Sequence, residues 1–256
     1  SWENTLTCAP CATDPTLLAY NIGLASNDNS ARNQSLALHR EAFRIFNTIN
    51  DRFGKNMFLS VQITSSPVNK NDQSSALSFQ KSLEEILSWN WGSTDILVEH
   101  CDKYEETGFD KGFLSLEDEI QVVNNLSNSS LGFILNWGRS TIEGKNTKII
   151  HEHIAALVSH NLLKGFMFSG TSGKNNLYGP WKDLHMPFGE FKTSLYPEAD
   201  SELTEENMNH LFSKVDLHSL KYLGFKLMSL PQNKATLDKR VGINIDAANI
   251  LDTYDL

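Results

Sequence analysis

Cysteine is scarce in this chain of 256 residues, with three in all, at Cys8, Cys11 and Cys101. So small and odd a number excludes a secreted disulfide framework. Cys8-Ala9-Pro10-Cys11 has the C-x-x-C spacing, but with no second pair it reads as two small reduced side chains, not as a zinc or redox centre. Positive charge is also in deficit: Lys and Arg total 22 against 31 Asp and Glu, a net charge of −9. Phosphate backbones need a basic field, so nucleic acid is not an expected partner. No apolar run approaches the roughly 20 residues of a membrane span, and no charged-then-apolar leader opens the chain. A cytoplasmic protein without membrane contact is therefore expected. No G-x-G-x-x-G stands between a strand and a helix, which removes support for a dinucleotide-binding sheet. The chain opens with Ser1-Trp2-Glu3 and no initiator Met.

What is present is a 40% hydrophobic content, enough for a sizeable core. Strand-like runs occur at Thr5–Cys8, Met57–Thr64, Asp95–Glu99, Leu131–Trp137, Gly165–Ser169 and Tyr222–Met228. Most are continuously apolar, as strands of a parallel sheet buried on both faces are. Helical patterns lie between them: Phe43, Phe46, Ile49 and Phe53; Leu83, Ile86 and Leu87; Leu116, Ile120 and Val123 behind Ser115 as N-cap; Ile150, Ile154, Leu157 and Val158 with Gly165 as C-cap. The middle strands recur every 33 to 37 residues. A strict β/α alternation implies a parallel sheet with helices outside it, and a TIM-type (β/α)8 barrel over residues 1–256 as a single domain is the expected fold. Six strands are visible where the barrel has eight, so the first two are expected to be absent and Thr5–Cys8 to correspond to the third. Residues 170–201, rich in Gly, Pro and aromatics, form a long loop insertion of the kind that is usually functional. A closing helix is expected around Ile245 to Leu251.

The strand ends read VQITSS, LVEHCD, ILNWGRS, FMFSGTSG and LGFKLMS. Each meets polar residues as it ends: Gln62 and Thr64, Glu99 and His100, Asn136, Ser169, Lys226. In a (β/α)8 barrel these ends form the rim that carries catalysis. A Glu and a Lys among them are costly to bury unless paired or put to chemical use. Arg139 follows the rim in NWGRS and has the planar fork for a substrate carboxylate or phosphate, or for a salt bridge. SGTSG, with Ser169 and Gly170, is either an anion cradle or a plain connector. In YGPWKDLHMPF, Trp181, Asp183 and His185 make either a lid over a sugar, with His185 as acid or base, or a hydrophobic anchor for the loop. His151, His153 and His160 lie on a helix outside the barrel and read as surface residues.

The segments VEHCD, KGFLSLEDEI, NWGRSTIEG, GFMFSGTSG and YGPWKDLHMPF resemble the bacterial domain-of-unknown-function 4862 family from Gly23 to the YLGFK strand. That resemblance implies a xylose-isomerase-like TIM barrel with no settled activity, and its members usually begin two strands earlier. The wider sugar isomerase and epimerase group it resembles holds a divalent metal with a Glu, an Asp, a His and a Glu at the last four strands. The corresponding positions here are Glu99, Asn136, Ser169 and Lys226, and only Glu99 matches. No metal and no cofactor are therefore expected.

The expected function is that of a metal-independent sugar or sugar-phosphate isomerase or epimerase acting on a small molecule. Glu99 is the base, Lys226 polarises the oxygen that gains charge, and His185 relays a proton. Gln62, Thr64, His100, Asn136, Arg139, Ser169, Gly170 and Trp181 are the expected substrate contacts. A Schiff-base aldolase or lyase using Lys226, and a carbohydrate-binding protein without catalysis, are the alternatives.

Overall fold

The computed structural model describes residues 4–216, 219–232 and 234–254. The chain divides into two compact units. The first runs to Ile134 and includes Ser159–Leu162; the second takes Leu135–Val158 and the chain from Leu163 onward.

In the first unit the strands are β1 (Asn4–Thr7), β2 (Phe58–Ile63), β3 (Asp95–Glu99) and β4 (Leu131–Asn136), which ends in the second unit. They pair in chain order and all in parallel. The helices are α1 (Pro15–Ala19), α2 (Asn29–Phe53), α3 (Ala76–Leu87) and α4 (Leu116–Leu126). Side-chain caps start them where the sequence offers an oxygen: Asp28 accepts from the Ala31 amide at 2.9 Å, and Ser115 from that of Asp118 at 3.1 Å. β3 and β4 are buried along their whole length, as their unbroken apolar runs require. β1 is largely exposed and has β2 as its described partner. Behind the strands, Phe79, Leu83 and Ile86 of α3 are fully buried, and Phe43 and Phe46 of α2 form an aromatic cluster with Trp91 at centroid distances of 4.7 and 5.1 Å.

The second unit holds α5 (Trp137–Gly144), α6 (Ile149–Ser159, its last residue in the first unit), β5 (Leu163–Phe168), α7 (Glu205–Phe212), β6 (Tyr222–Phe225) and α8 (Leu237–Asp252). β5 and β6 pair in parallel. Phe168 stands at the centre of this unit's core, its ring against Phe166, Phe188 and Phe212.

Two expectations are corrected. Gly165 is not a helix C-cap but the third residue of β5; the chain leaves α6 through Asn161, whose φ is 56°. A Cβ on Gly165 would lie 2.2 Å from the Tyr222 carbonyl oxygen, so glycine permits the close approach of β6. His153 is not on the surface. It is 6% exposed, with Nδ1 3.0 Å from Ser140 Oγ and Nε2 3.3 Å from a Glu143 carboxylate oxygen. An outer helix has an inward face, and residues 150, 153, 154 and 157 lie on it. His151 is half-buried and His160 is exposed.

Candidate functional site

Register sets the level of the polar residues in each unit. In the first, Ile63 pairs with Val98, so Thr64 and Glu99 follow at neighbouring positions. Gln62, Thr64, Glu99 and His100 are all buried. Thr7 donates to Gln62 Oε1 at 3.1 Å, while the buried Gln62 Nε2 has no hydrogen-bond partner. Flipping the carboxamide changes which atom is orphaned but not that one is. A buried donor left in this way costs about 1–3 kcal/mol unless a ligand meets it.

Glu99 is fully enclosed at the last position of β3. Its neighbour His100 belongs to a network absent from the sequence-based expectation. Glu119 in α4 accepts from Ser65 Oγ at 2.5 Å through one oxygen and lies 2.7 Å from His100 Nδ1 through the other. All three side chains are closed off from solvent. With an ionised carboxylate, Nδ1 is the donor in this contact. Glu119 was detectable in the sequence: with Leu116, Ile120 and Val123 it lies on the apolar stripe of α4, where a lone carboxylate calls for partners. Asp102, next along the chain, is a loop organiser. It accepts from the amides of Asp110, Lys111 and Gly112, and burial nonetheless raises its carboxyl above the ordinary range.

In the second unit Phe168 pairs with Phe225, so Ser169 and Lys226 come next on their strands, and the Lys226 amide donates to the Phe168 carbonyl at 2.9 Å. Lys226 is half-buried, not enclosed. Asn136 ends β4 and caps α5, accepting from the Arg139 amide at 3.3 Å and from Ser169 Oγ at 2.9 Å. α5 starts close against the next strand end: a Cβ on Gly138 would lie 2.5 Å from the Ser169 carbonyl oxygen. The Gly170 amide bonds to the Met186 carbonyl at 2.7 Å, and the Trp181 ring lies on Gly173, where a Cβ would be 2.6 Å from Cζ2. SGTSG and the Trp181 loop are thus packed on each other.

Arg139 is enclosed, and its Nε and Nη2 each lie 3.1 Å from Asp183 Oδ2. Asp183 Oδ1 lies 3.1 Å from His185 Nδ1, a charge contact without hydrogen-bond alignment. Trp181 and His185 both have left-handed backbones, φ 52° and 49°, an uncommon conformation for such side chains. The His185 carbonyl accepts from the Met228 amide at 2.7 Å, and Tyr178 Oη donates to the Met228 carbonyl at 3.0 Å. Burial raises the Tyr178 hydroxyl pKa. The three strand-end side chains Asn136, Ser169 and Lys226 are a poor set for a divalent cation, because Asn136 Oδ1 and the Ser169 hydroxyl bond to each other and Lys226 brings a positive charge.

No helix among the described residues is long and apolar enough to cross a membrane. The uncharacterized protein STM3670 of Salmonella typhimurium is 31% identical over 230 residues, covering 90% of this chain and 70% of that one. Among solved structures, a D-tagatose 3-epimerase-like protein matches with a TM-score of 0.61 at 12% identity, covering 98% of this chain and 87% of its own. A xylose isomerase-like TIM barrel/4-hydroxyphenylpyruvate dioxygenase fusion protein matches 90% of this chain and 32% of its own, with a TM-score of 0.51 at 9% identity. At these identities the likeness shows the fold alone, which is of the TIM-barrel type, with six parallel strands among the described residues. The family model for Domain of unknown function (DUF4862) matches residues 1–243, and the chain belongs to that family.

Proposed function

We propose that this protein is a sugar or sugar-phosphate isomerase or epimerase that works without a metal, by moving a proton from a carbon next to a carbonyl. The observation that carries the reading is Glu99, an acid wholly enclosed at the C-terminal end of a strand in a TIM-type fold, where such barrels keep their chemistry. The orphaned carboxamide atom of Gln62, on the neighbouring strand, supports a polar ligand there. The likeness to a D-tagatose 3-epimerase-like protein is one of fold, and fold alone does not assign a reaction.

In this reading Glu99 takes the proton from carbon, and the electron pair of the C–H bond moves onto the carbonyl oxygen to give an enediolate. The proton, in exchange with solvent while it is on Glu99, then returns to the neighbouring carbon in an isomerisation, whereas inversion at the same carbon takes a proton delivered from the opposite face by a second acid. Gln62 and Thr64 are the substrate contacts of the first unit. In the second unit Asn136 accepts from Ser169, Gly170 bonds to Met186, and Arg139 pairs with Asp183, the salt bridge that was its alternative to a substrate contact.

The test is solvent hydrogen exchange. Wild-type protein in D2O, treated with EDTA, is incubated with a panel of aldoses and ketoses, free and phosphorylated, and carbon-bound deuterium is read by NMR. Incorporation into at least one sugar, reduced at least 100-fold in Glu99→Gln, is expected. No exchange with any sugar, exchange unaffected by Glu99→Gln, or exchange abolished by EDTA would each overturn the corresponding part of the proposal.

A further inference from the structure

Past the end of β6, the chain at Leu227–Ser229 and the first turns of α8 flank a cleft of about 700 Å³ that lies wholly within the second unit. Its walls are largely apolar, from Leu227, Met228, Val241 and Ile243, and Arg240 is the one charged residue among the described residues that line it. In a chain of net charge −9, a lining without a carboxylate sets this cleft apart. Arg240 is exposed, and its guanidinium has no ion-pair partner among the described residues. Ser229, on the same lining, is 7% exposed, and its buried hydroxyl has no hydrogen-bond partner. Both walls are fixed from behind. The Met228 amide donates to the His185 carbonyl at 2.7 Å, and the Met228 carbonyl accepts from Tyr178 Oη at 3.0 Å. Across the cleft, Asp246 Oδ2 accepts from the Leu195 and Tyr196 amides at 2.8 and 2.6 Å, which ties α8 to the loop before α7. Walls already set in this way cost little ordering when a ligand enters.

We infer that this cleft binds a small organic acid with an aliphatic body, its carboxylate on Arg240 and its chain along the apolar walls. The planar guanidinium fork matches a carboxylate, and one cation balances its single charge. A phosphate carries nearly two charges at neutral pH and calls for more cations than this lining holds. A sugar would turn its hydroxyls to walls that cannot hydrogen-bond, and no aromatic ring among the described lining residues offers it a face. Leu237 and Val241, 72% and 47% exposed, are the surface that an aliphatic chain covers. The Ser229 hydroxyl turns about a single side-chain bond, and donating to a ligand oxygen relieves the cost of a buried polar group without a partner. This site is independent of the isomerase reading and of Glu99.

The probes are octanoate, octanamide and acetate, titrated into the full chain at neutral pH by calorimetry, with NMR shifts of backbone amides and of the guanidinium locating the site. Octanoate is expected to bind one to a chain. Octanamide, which lacks the charge, and acetate, which lacks the chain, are each expected to bind weaker by about tenfold or more. Arg240→Gln is expected to weaken octanoate by about tenfold or more and to leave octanamide unchanged. Val241→Asp sets a carboxylate beside that of the ligand and is expected to weaken octanoate at least as much. Both side chains are exposed, so the two variants keep the core, and unchanged melting temperatures check this. Shifts on binding should fall on residues 227–229 and on the first turns of α8. No saturable binding of octanoate below about 10 mM, equal affinity for octanoate and either control, unaltered affinity in Arg240→Gln, or shifts confined to another part of the chain would each overturn the inference.

Discussion

Glu119 and His100 meet at 2.7 Å where neither side chain has any contact with solvent. One comes from the first turn of α4 and the other from the residue after β3, so the pair joins a helix to the strand end that carries Glu99.

Removing one member leaves the other enclosed without its partner. Glu119→Ala is expected to lower the unfolding free energy by about 3 kcal/mol or more, and Glu119→Gln by less, because an amide still accepts from Ser65. Urea titration followed by circular dichroism reads both. Equal, small losses in the two variants would mean that the pair does not hold the strand end.

The contrast between Gly165 and Gly224 isolates backbone packing. A Cβ at Gly165 meets the Tyr222 carbonyl oxygen at 2.2 Å, while one at Gly224 meets Met167 Cε at 3.3 Å. A methionine end can move aside and a strand carbonyl cannot, so Gly165→Ala is expected to cost about 2 kcal/mol or more and Gly224→Ala well under half of that. Melting temperatures of the two variants, compared under one buffer, decide the matter.

His39 gives a pH dependence with a defined sign. Burial lowers its pKa below the ordinary 6.5, against a partly opposing bond of Nδ1 with the Ser35 carbonyl at 2.8 Å. The unfolded chain therefore binds the proton more readily than the folded one. The stabilising contribution is whole above pH 6.5 and is lost as pH falls through 6.5 toward the folded value. Unfolding free energies at pH 7.5 and 5.5 should differ more in the wild type than in His39→Asn; an identical difference in both would assign the acid sensitivity elsewhere.

Cys8 should be inert. Burial, and then the neighbouring Cys11, push its thiol up to about 12, and the thiolate is the reactive form. At pH 8 an aromatic disulfide reagent is expected to leave Cys8 unmodified in the native protein and to modify it promptly in urea, as read by peptide mass spectrometry. Prompt native modification would contradict the enclosure of this thiol.

Much of the architecture was legible because parallel strands buried on both faces must be apolar throughout. β3 matches its expected bounds, and β2 and β4 differ from theirs by a residue or so. Asp28 and Ser115 show why helix starts are readable: a local side chain caps a local amide. The departures come from contacts between residues far apart in sequence. Gly165 lies where either a helix stop or a close strand approach requires a missing side chain, and only the pairing with Tyr222 tells them apart. His153 and Glu119 were missed although the helical period already put each on an inward face; a polar residue on an apolar stripe reports a partner that is distant in the chain. Arg139 looked available to an anion because its Asp183 partner lies 44 residues on, inside the loop.

The stretch from Tyr178 to His185 is sewn to the backbone at 228–230 by three hydrogen bonds, one from the Met228 amide, one to its carbonyl and one from the Leu230 amide. A connection of this length ordinarily offers proteases an easy first cut. Here the stitching makes the segment part of the wall, so nicking by trypsin at Lys182 should wait for the surrounding β6 exit to come loose, and the peptide bonds most open to attack should lie elsewhere on the surface.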